Sequence, residues 1–121
     1  LSSDFYELSA SLSETFSNAR RLKIIELLRD NELCVSAISD SLTIHKSNLS
    51  QHLALMREKG IVNARREGRW IYYSIANEKV MQVFDLICEL LKELSDTRAF
   101  GSHMSGHTPP RREKNVHDHE R

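Results

Sequence analysis

The chain has 121 residues, with 17 cationic side chains balanced by 17 acidic ones and 40% hydrophobic content, a length that excludes several large domains. Two cysteines are too few for a disulfide-stapled secreted scaffold, and no apolar run approaches the roughly 18 residues of a membrane span. With no readable signal peptide, a cytoplasmic protein without a membrane partner is expected, and a helical chain this short often completes its core by pairing with a second copy.

Phe5, Leu8, Leu12 and Phe16 recur at spacings of three and four, so a first amphipathic helix is predicted over 3–17. Leu22, Ile25 and Leu28, broadened by Ile24 and Leu27, define a second helix that ends at the turn-forming pair Asp30-Asn31. Val35, Ile38 and Leu42 predict a short third helix. A turn, "TIH", leads into a fourth helix over 46–59, with Leu49, Leu53 and Met56 inward and Gly60 as its stop. The period then changes: "IVNARREGRWIYYSI" holds two β-prone runs around "REGR", a hairpin with Glu67-Gly68 at its tip. Val80, Val83, Phe84, Ile87, Leu90, Leu91 and Leu94 restore the helical period in a last helix. Its apolar stripe is wide enough to cover more than one partner, and the first helix of a second protomer is a candidate.

Residues 1–100 thus read as one domain. Residues 101–121, rich in Gly, Ser, Pro, Arg and His, read as a disordered tail, and "GSHM" at 101–104 looks like the remnant of a cleaved affinity tag.

The zero net charge is unevenly spread. Residues 44–73 hold six cations, Lys46, Arg57, Lys59, Arg65, Arg66 and Arg69, against Glu58 and Glu67, whereas residues 1–43 hold four cations against seven carboxylates. A basic segment inside an acidic domain is how a localised polyanion-binding face looks. The order of a short helix, a turn, a polar-fronted helix and a basic hairpin is that of a helix-turn-helix with a wing. The major groove admits one α-helix, and its base edges pair with short polar side chains. Lys46, Ser47, Asn48, Ser50, Gln51 and His52 are candidates for that face, and Arg65, Arg66 and Arg69 for phosphate or minor-groove contact from the wing. Singly, Ser47 and Asn48 also suit a helix start, His52 a structural position, and Tyr72 and Tyr73 the packing of a strand.

"ELCVSAISDSLTIHKSNLSQHLALMREKGIVNARREGRWIYYSI" resembles the core of the ArsR/SmtB family of metal- and thiol-responsive repressors, through "ELCV", the pattern S-x-x-S-Q-H-L-x-x-M-R-E-K-G-I-V and "RREGRxxYY". The likeness spans roughly residues 5–95. It implies a mainly α winged helix-turn-helix with a β-hairpin wing, a homodimer joined through first and last helices, a partly palindromic double-stranded DNA operator, and an inducer that lowers DNA affinity. Thr43 stands where the family often has glycine.

Two sensor sites recur in that family. The arsenic- and cadmium-type site resembles "ELCVCD"; here Cys34 matches its first thiolate, but Ser36 and Ala37 replace the next ligands, and a hydroxyl is a poor soft-metal ligand. At the zinc-type site on the last helix, Asn77, Lys79, Leu90 and Glu93 stand in the ligand positions, which excludes it. Sensing therefore falls to Cys34 and Cys88, by thiol modification or by a soft or transition metal ion. Cys34 lies near a helix start where the dipole favours a thiolate, and a packing role suits it equally; Cys88 has Phe84, Ile87 and Leu91 as neighbours, which suit a small buried thiol. A bridge between them requires Cα atoms within about 7 Å. Alternatives are a repressor with no inducer site in the domain and a metal sensor using tail histidines, with His107, His117 and His119 as the metal candidates. A winged-helix module for protein or RNA is the reading from another class. An enzyme is not expected, since no phosphate loop or paired-carboxylate cleft is readable.

Overall fold

The computed structural model describes residues 1–97. In chain order it contains α1 (Ser3–Glu14), α2 (Ala19–Leu27), β1 (Leu33–Cys34), α3 (Val35–Leu42), α4 (Lys46–Glu58), β2 (Val62–Glu67), β3 (Trp70–Ile75) and α5 (Glu78–Ser95). The three strands form one antiparallel sheet in the order β1-β3-β2.

Local chemistry sets the helix ends. Ser2 caps α1, Asn18 caps α2 and Asn77 caps α5, each side-chain oxygen accepting from a backbone N–H of the first turn. α1 is shorter than the predicted 3–17: it stops at Glu14, and Thr15, Phe16 and Ser17 close tight turns by donating to Leu12 O, Ser13 O and Glu14 O. Phe16, past the helix end, packs against the core.

Ile24, Ile25 and Leu28 of the α2 segment, Ile38, and Leu49, Leu53 and Met56 of α4 are buried together, with Ile61 and Val62 entering from the wing and Val80 and Phe84 from α5. The core therefore sits where α2, α3 and α4 meet, with the sheet attached at one side. No helix among the described residues is long and apolar enough to cross a membrane.

Two turns aim α4. Thr43 closes α3 in the left-handed region at φ 55°, ψ 48°, and Ser39 Oγ donates to Ile44 O at 2.6 Å across the turn. At the far end Gly60, φ 81°, reverses the chain into β2.

The hairpin has a different tip from the predicted Glu67-Gly68. Glu67 pairs with Trp70, so the loop is Gly68-Arg69, and Gly68 takes the positive φ, 64°, at the first loop position as a II′ turn needs. β1 has no counterpart in the sequence reading; it exists because Leu33 and Cys34 pair with Tyr73 and Tyr72, far along the chain.

Candidate nucleic-acid interface

α4 divides cleanly by face. Leu49, Leu53 and Met56, spaced by four and three, are 0% exposed. Lys46, Ser47, Ser50 and Gln51 are exposed, and Asn48 and His52 are half-buried at the edges. The N-terminus of α4 carries no acidic residue in its first turn and no side-chain cap, since His45 Nδ1 instead lies 3.1 Å from Ser47 Oγ. The positive end of the helix and Lys46 thus stand open to an anion, beside donors and acceptors of a size to reach base edges.

The three wing arginines are placed differently from one another. Arg65 forks onto Glu32, with Nε to Oε2 at 3.0 Å and Nη2 to Oε1 at 2.9 Å, and its Nη1 reaches Glu67 Oε1 at 2.8 Å. Its guanidinium also lies over the Tyr72 ring, 5.0 Å from the centroid. The hydrogen bonds to Glu32 and Glu67 raise the Arg65 pKa, and the same contact with Arg65 holds the Glu32 carboxyl below its ordinary value. Arg65 therefore ties the wing to the approach of β1 and is not the bare cation that the sequence suggests. Arg66, whose Nε donates to Gly68 O at 3.1 Å, and Arg69, stacked 5.6 Å from the Trp70 centroid, carry the exposed charge near the tip.

His52 is turned toward the body of the domain. Its Nδ1 lies 3.4 Å from Arg21 Nη1. Burial first, then Arg21 and Arg20, lower its pKa, so the neutral imidazole is favoured. Sequence reasoning missed Arg21 and Glu32 altogether: both act on residues more than thirty positions away, a distance at which no periodicity carries a signal.

The two thiols occupy different elements. Cys34 is half-buried at the N-cap of α3, as its place before "VSAI" implied, and pairs across the sheet with Tyr72. Cys88 is exposed on α5, so the expectation that Phe84, Ile87 and Leu91 would bury it does not hold within one chain; only Phe84 of the three is buried. α5 packs chiefly on α2 and β3, whereas α3 packs chiefly on α2, α4, β1 and β3. The crossing of third and last helices on which an intrachain thiol bridge depends is thus not a main contact of the fold. Asn77, in a zinc-type ligand position, is occupied in capping α5 through Lys79 N at 2.8 Å. Among the described residues no cluster of three or more His, Cys, Asp or Glu is arranged to hold a metal. His107, His117, His119 and the tag-like stretch lie outside the described residues.

Two helices, α1 and α5, leave large apolar side chains exposed. α1 buries none of its residues, and it exposes Phe5, Leu8 and Leu12. α5 exposes Val83, Leu86, Ile87, Leu90 and Leu91. Such a surface marks an interaction site rather than a solvated face.

A three-helix unit with a two-turn helix, a tight turn, a polar-fronted helix and an antiparallel wing defines a winged helix-turn-helix DNA-binding protein. Residues 18–64 match the family described as "Bacterial regulatory protein, arsR family". The chain is 37% identical over 86 residues to an HTH-type transcriptional regulator of Methanocaldococcus jannaschii, an overlap of 70% of this chain and 97% of that one. It is 39% identical over 79 residues to the transcriptional activator HlyU of Vibrio cholerae, covering 65% of this chain and 73% of HlyU. The HlyU structure superposes with a TM-score of 0.65 at 35% identity, covering 74% of this chain and 97% of HlyU. The homodimeric winged helix-turn-helix DNA-binding domain Mb0332 of Mycobacterium bovis superposes with a TM-score of 0.71 at 32% identity, covering 78% and 89%. The chain belongs to the ArsR family of DNA-binding transcriptional regulators, and its work is binding rather than catalysis.

Proposed function

We propose that the chain is a homodimeric repressor that reads a partly palindromic operator in the major groove through Lys46, Ser47, Asn48, Ser50 and Gln51 of α4, with Arg66 and Arg69 of the wing on flanking phosphates or in the minor groove. The observation that carries this is the division of α4, where three fully buried apolar residues hold the helix from behind and an uncapped, polar, non-acidic front faces outward. Arg65 supports the reading indirectly, by holding the wing through Glu32. The exposed apolar faces of α1 and α5 supply the dimer interface, and a two-fold dimer calls for half-sites about one helical turn apart.

Release from DNA is proposed to follow thiol modification or soft-metal binding at Cys34, with Cys88 as a second group. Support lies in the place of Cys34, a half-buried thiol at the start of α3, the helix that packs on α4. The test is fluorescence anisotropy of a labelled duplex from the chain's own promoter, titrated with reduced protein and then with polysulfide-treated protein, alongside transcription from that promoter in a purified system. Loss of binding on treatment, absent in Cys34→Ser, together with a rise in transcription, is the expected result. Binding that treatment leaves unchanged would remove the thiols from sensing, and transcription that rises when the protein binds would make it an activator, as HlyU is.

A further inference from the structure

α1 is bound to the rest of the molecule in an unusual way. It is a twelve-residue helix with no buried side chain, so hydrophobic packing does little to fix its direction. Polar groups anchor it at its C-terminal half instead. Arg21, from the first turn of α2, donates through Nη2 to Glu14 O at 3.0 Å, which also accepts from Ser17, and through Nε to Thr15 O at 3.0 Å, so it grips two successive carbonyls at the end of α1. The third arm of the same guanidinium, Nη1, points to His52 Nδ1 on α4 at 3.4 Å. Lys59, just past α4, adds a second tie by donating to Ser11 Oγ. One arginine thus joins the helix that bears an exposed apolar face to the helix that bears the polar one.

Resting on the function proposed above, we infer that Arg21 and His52 form a strut that positions the recognition helix relative to the dimerisation helix, and that the strut holds only while His52 is neutral. A guanidinium has donors and no acceptor, so a hydrogen bond across the 3.4 Å contact needs a lone pair on Nδ1, with the ring proton on Nε2. A protonated ring has no acceptor, and its charge would lie against Arg21. The groups around His52 give that charge no relief: α2 presents Arg20 and Arg21, both cations whose charges lower the His52 pKa, and α1 meets Arg21 through backbone carbonyls. With the His52 pKa lowered, the strut is fully present above about pH 6.5 and is lost as pH falls through the lowered value. In a dimer held through α1, a recognition helix freed from that strut no longer meets both half-sites in register.

The test is anisotropy of a labelled promoter duplex with the full-length reduced chain from about pH 8 to about pH 5.5 at constant salt, with dimerisation followed by sedimentation. Wild-type affinity is expected to be lost progressively toward the acid end of that range, as pH falls through the lowered His52 value, while the dimer persists. His52→Asn, which offers Oδ1 where Nδ1 was and does not titrate, should bind like wild type near pH 8 and hold that affinity on acidification. Arg21→Ala should bind about tenfold more weakly throughout, without the acid-dependent loss. Affinity that rises on acidification in wild type but not in His52→Asn would overturn the inference and make His52 a phosphate contact. The imidazole nitrogen shifts of unbound protein decide the strut independently of DNA: an unprotonated Nδ1 near neutral pH supports it, and a protonated Nδ1 contradicts it. Failure of every promoter duplex to bind near pH 8 would count against the proposed function, whereas binding with a pH profile common to wild type and His52→Asn would count against the strut alone.

Discussion

Arg29, two residues past the end of α2, and Asp85 of α5 form a two-armed ion pair, with Nη1 to Oδ2 at 3.2 Å and Nη2 to Oδ1 at 2.5 Å. The guanidinium also lies 5.9 Å from the centroid of Phe84, a core residue of α5. The pair is the polar counterpart of the α2–α5 packing, and it fixes the helix that carries most of the exposed apolar surface. The hydrogen bond to Asp85 raises the pKa of Arg29 despite opposing desolvation.

Removing Asp85 leaves a largely buried cation with no fork to hold. Asp85→Ala is predicted to lower stability by about 1–2 kcal/mol, since the carboxylate is itself partly exposed and solvent screens part of the interaction. Urea unfolding at fixed protomer concentration reads the effect as a lower midpoint with an unchanged slope. An unaltered midpoint would mean that the packing of Phe84 and Val80 holds α5 alone.

Thr43 sits in the left-handed region, where a β-branched residue is strained. Thr43→Gly is predicted to raise stability by about 1 kcal/mol, the relief of strain outweighing the entropy of the glycine. Thermal or urea unfolding checks this, and a loss of stability would show that Thr43 makes contacts worth more than its strain.

At the DNA face the predictions separate reading from positioning. Gln51→Ala should weaken operator binding while leaving random duplex binding near wild type. Arg66→Ala should weaken both and reduce the slope of log K against log salt by about one. Arg65→Ala should change that slope less than Arg66→Ala, because its charge is already met by Glu32 and Glu67. Equal slope changes for the two arginines would place Arg65 on phosphate after all.

Ile87 and Leu91 are 37% and 41% exposed in the single chain, so charged residues there cost the protomer little. Ile87→Asp with Leu91→Glu is predicted to give a folded monomer that has lost operator binding. Sedimentation with circular dichroism decides it, and a folded dimer carrying both changes would move the interface elsewhere.

The helices and the hairpin were legible because burial writes a period into the sequence. Leu49, Leu53 and Met56 announced the buried side of α4 and left its polar front by subtraction. Apart from the end of α1 and the hairpin tip, what escaped was non-local. β1 is two residues long and depends on Tyr72 and Tyr73; the Arg65–Glu32 fork and the Arg21–His52 contact each span more than thirty residues. Cys88 was open to reading as a buried thiol for a related reason: an apolar stripe in sequence does not distinguish a face covered by its own chain from one left for a partner.

The measurement that tests the central claim most directly is a hydroxyl-radical footprint of the reduced chain on its own promoter duplex. The account predicts two protected patches about one helical turn apart, related by a two-fold axis and both lost in Gln51→Ala. A single unpaired patch, or protection that Gln51→Ala leaves unchanged, would contradict a dimer reading the operator through α4.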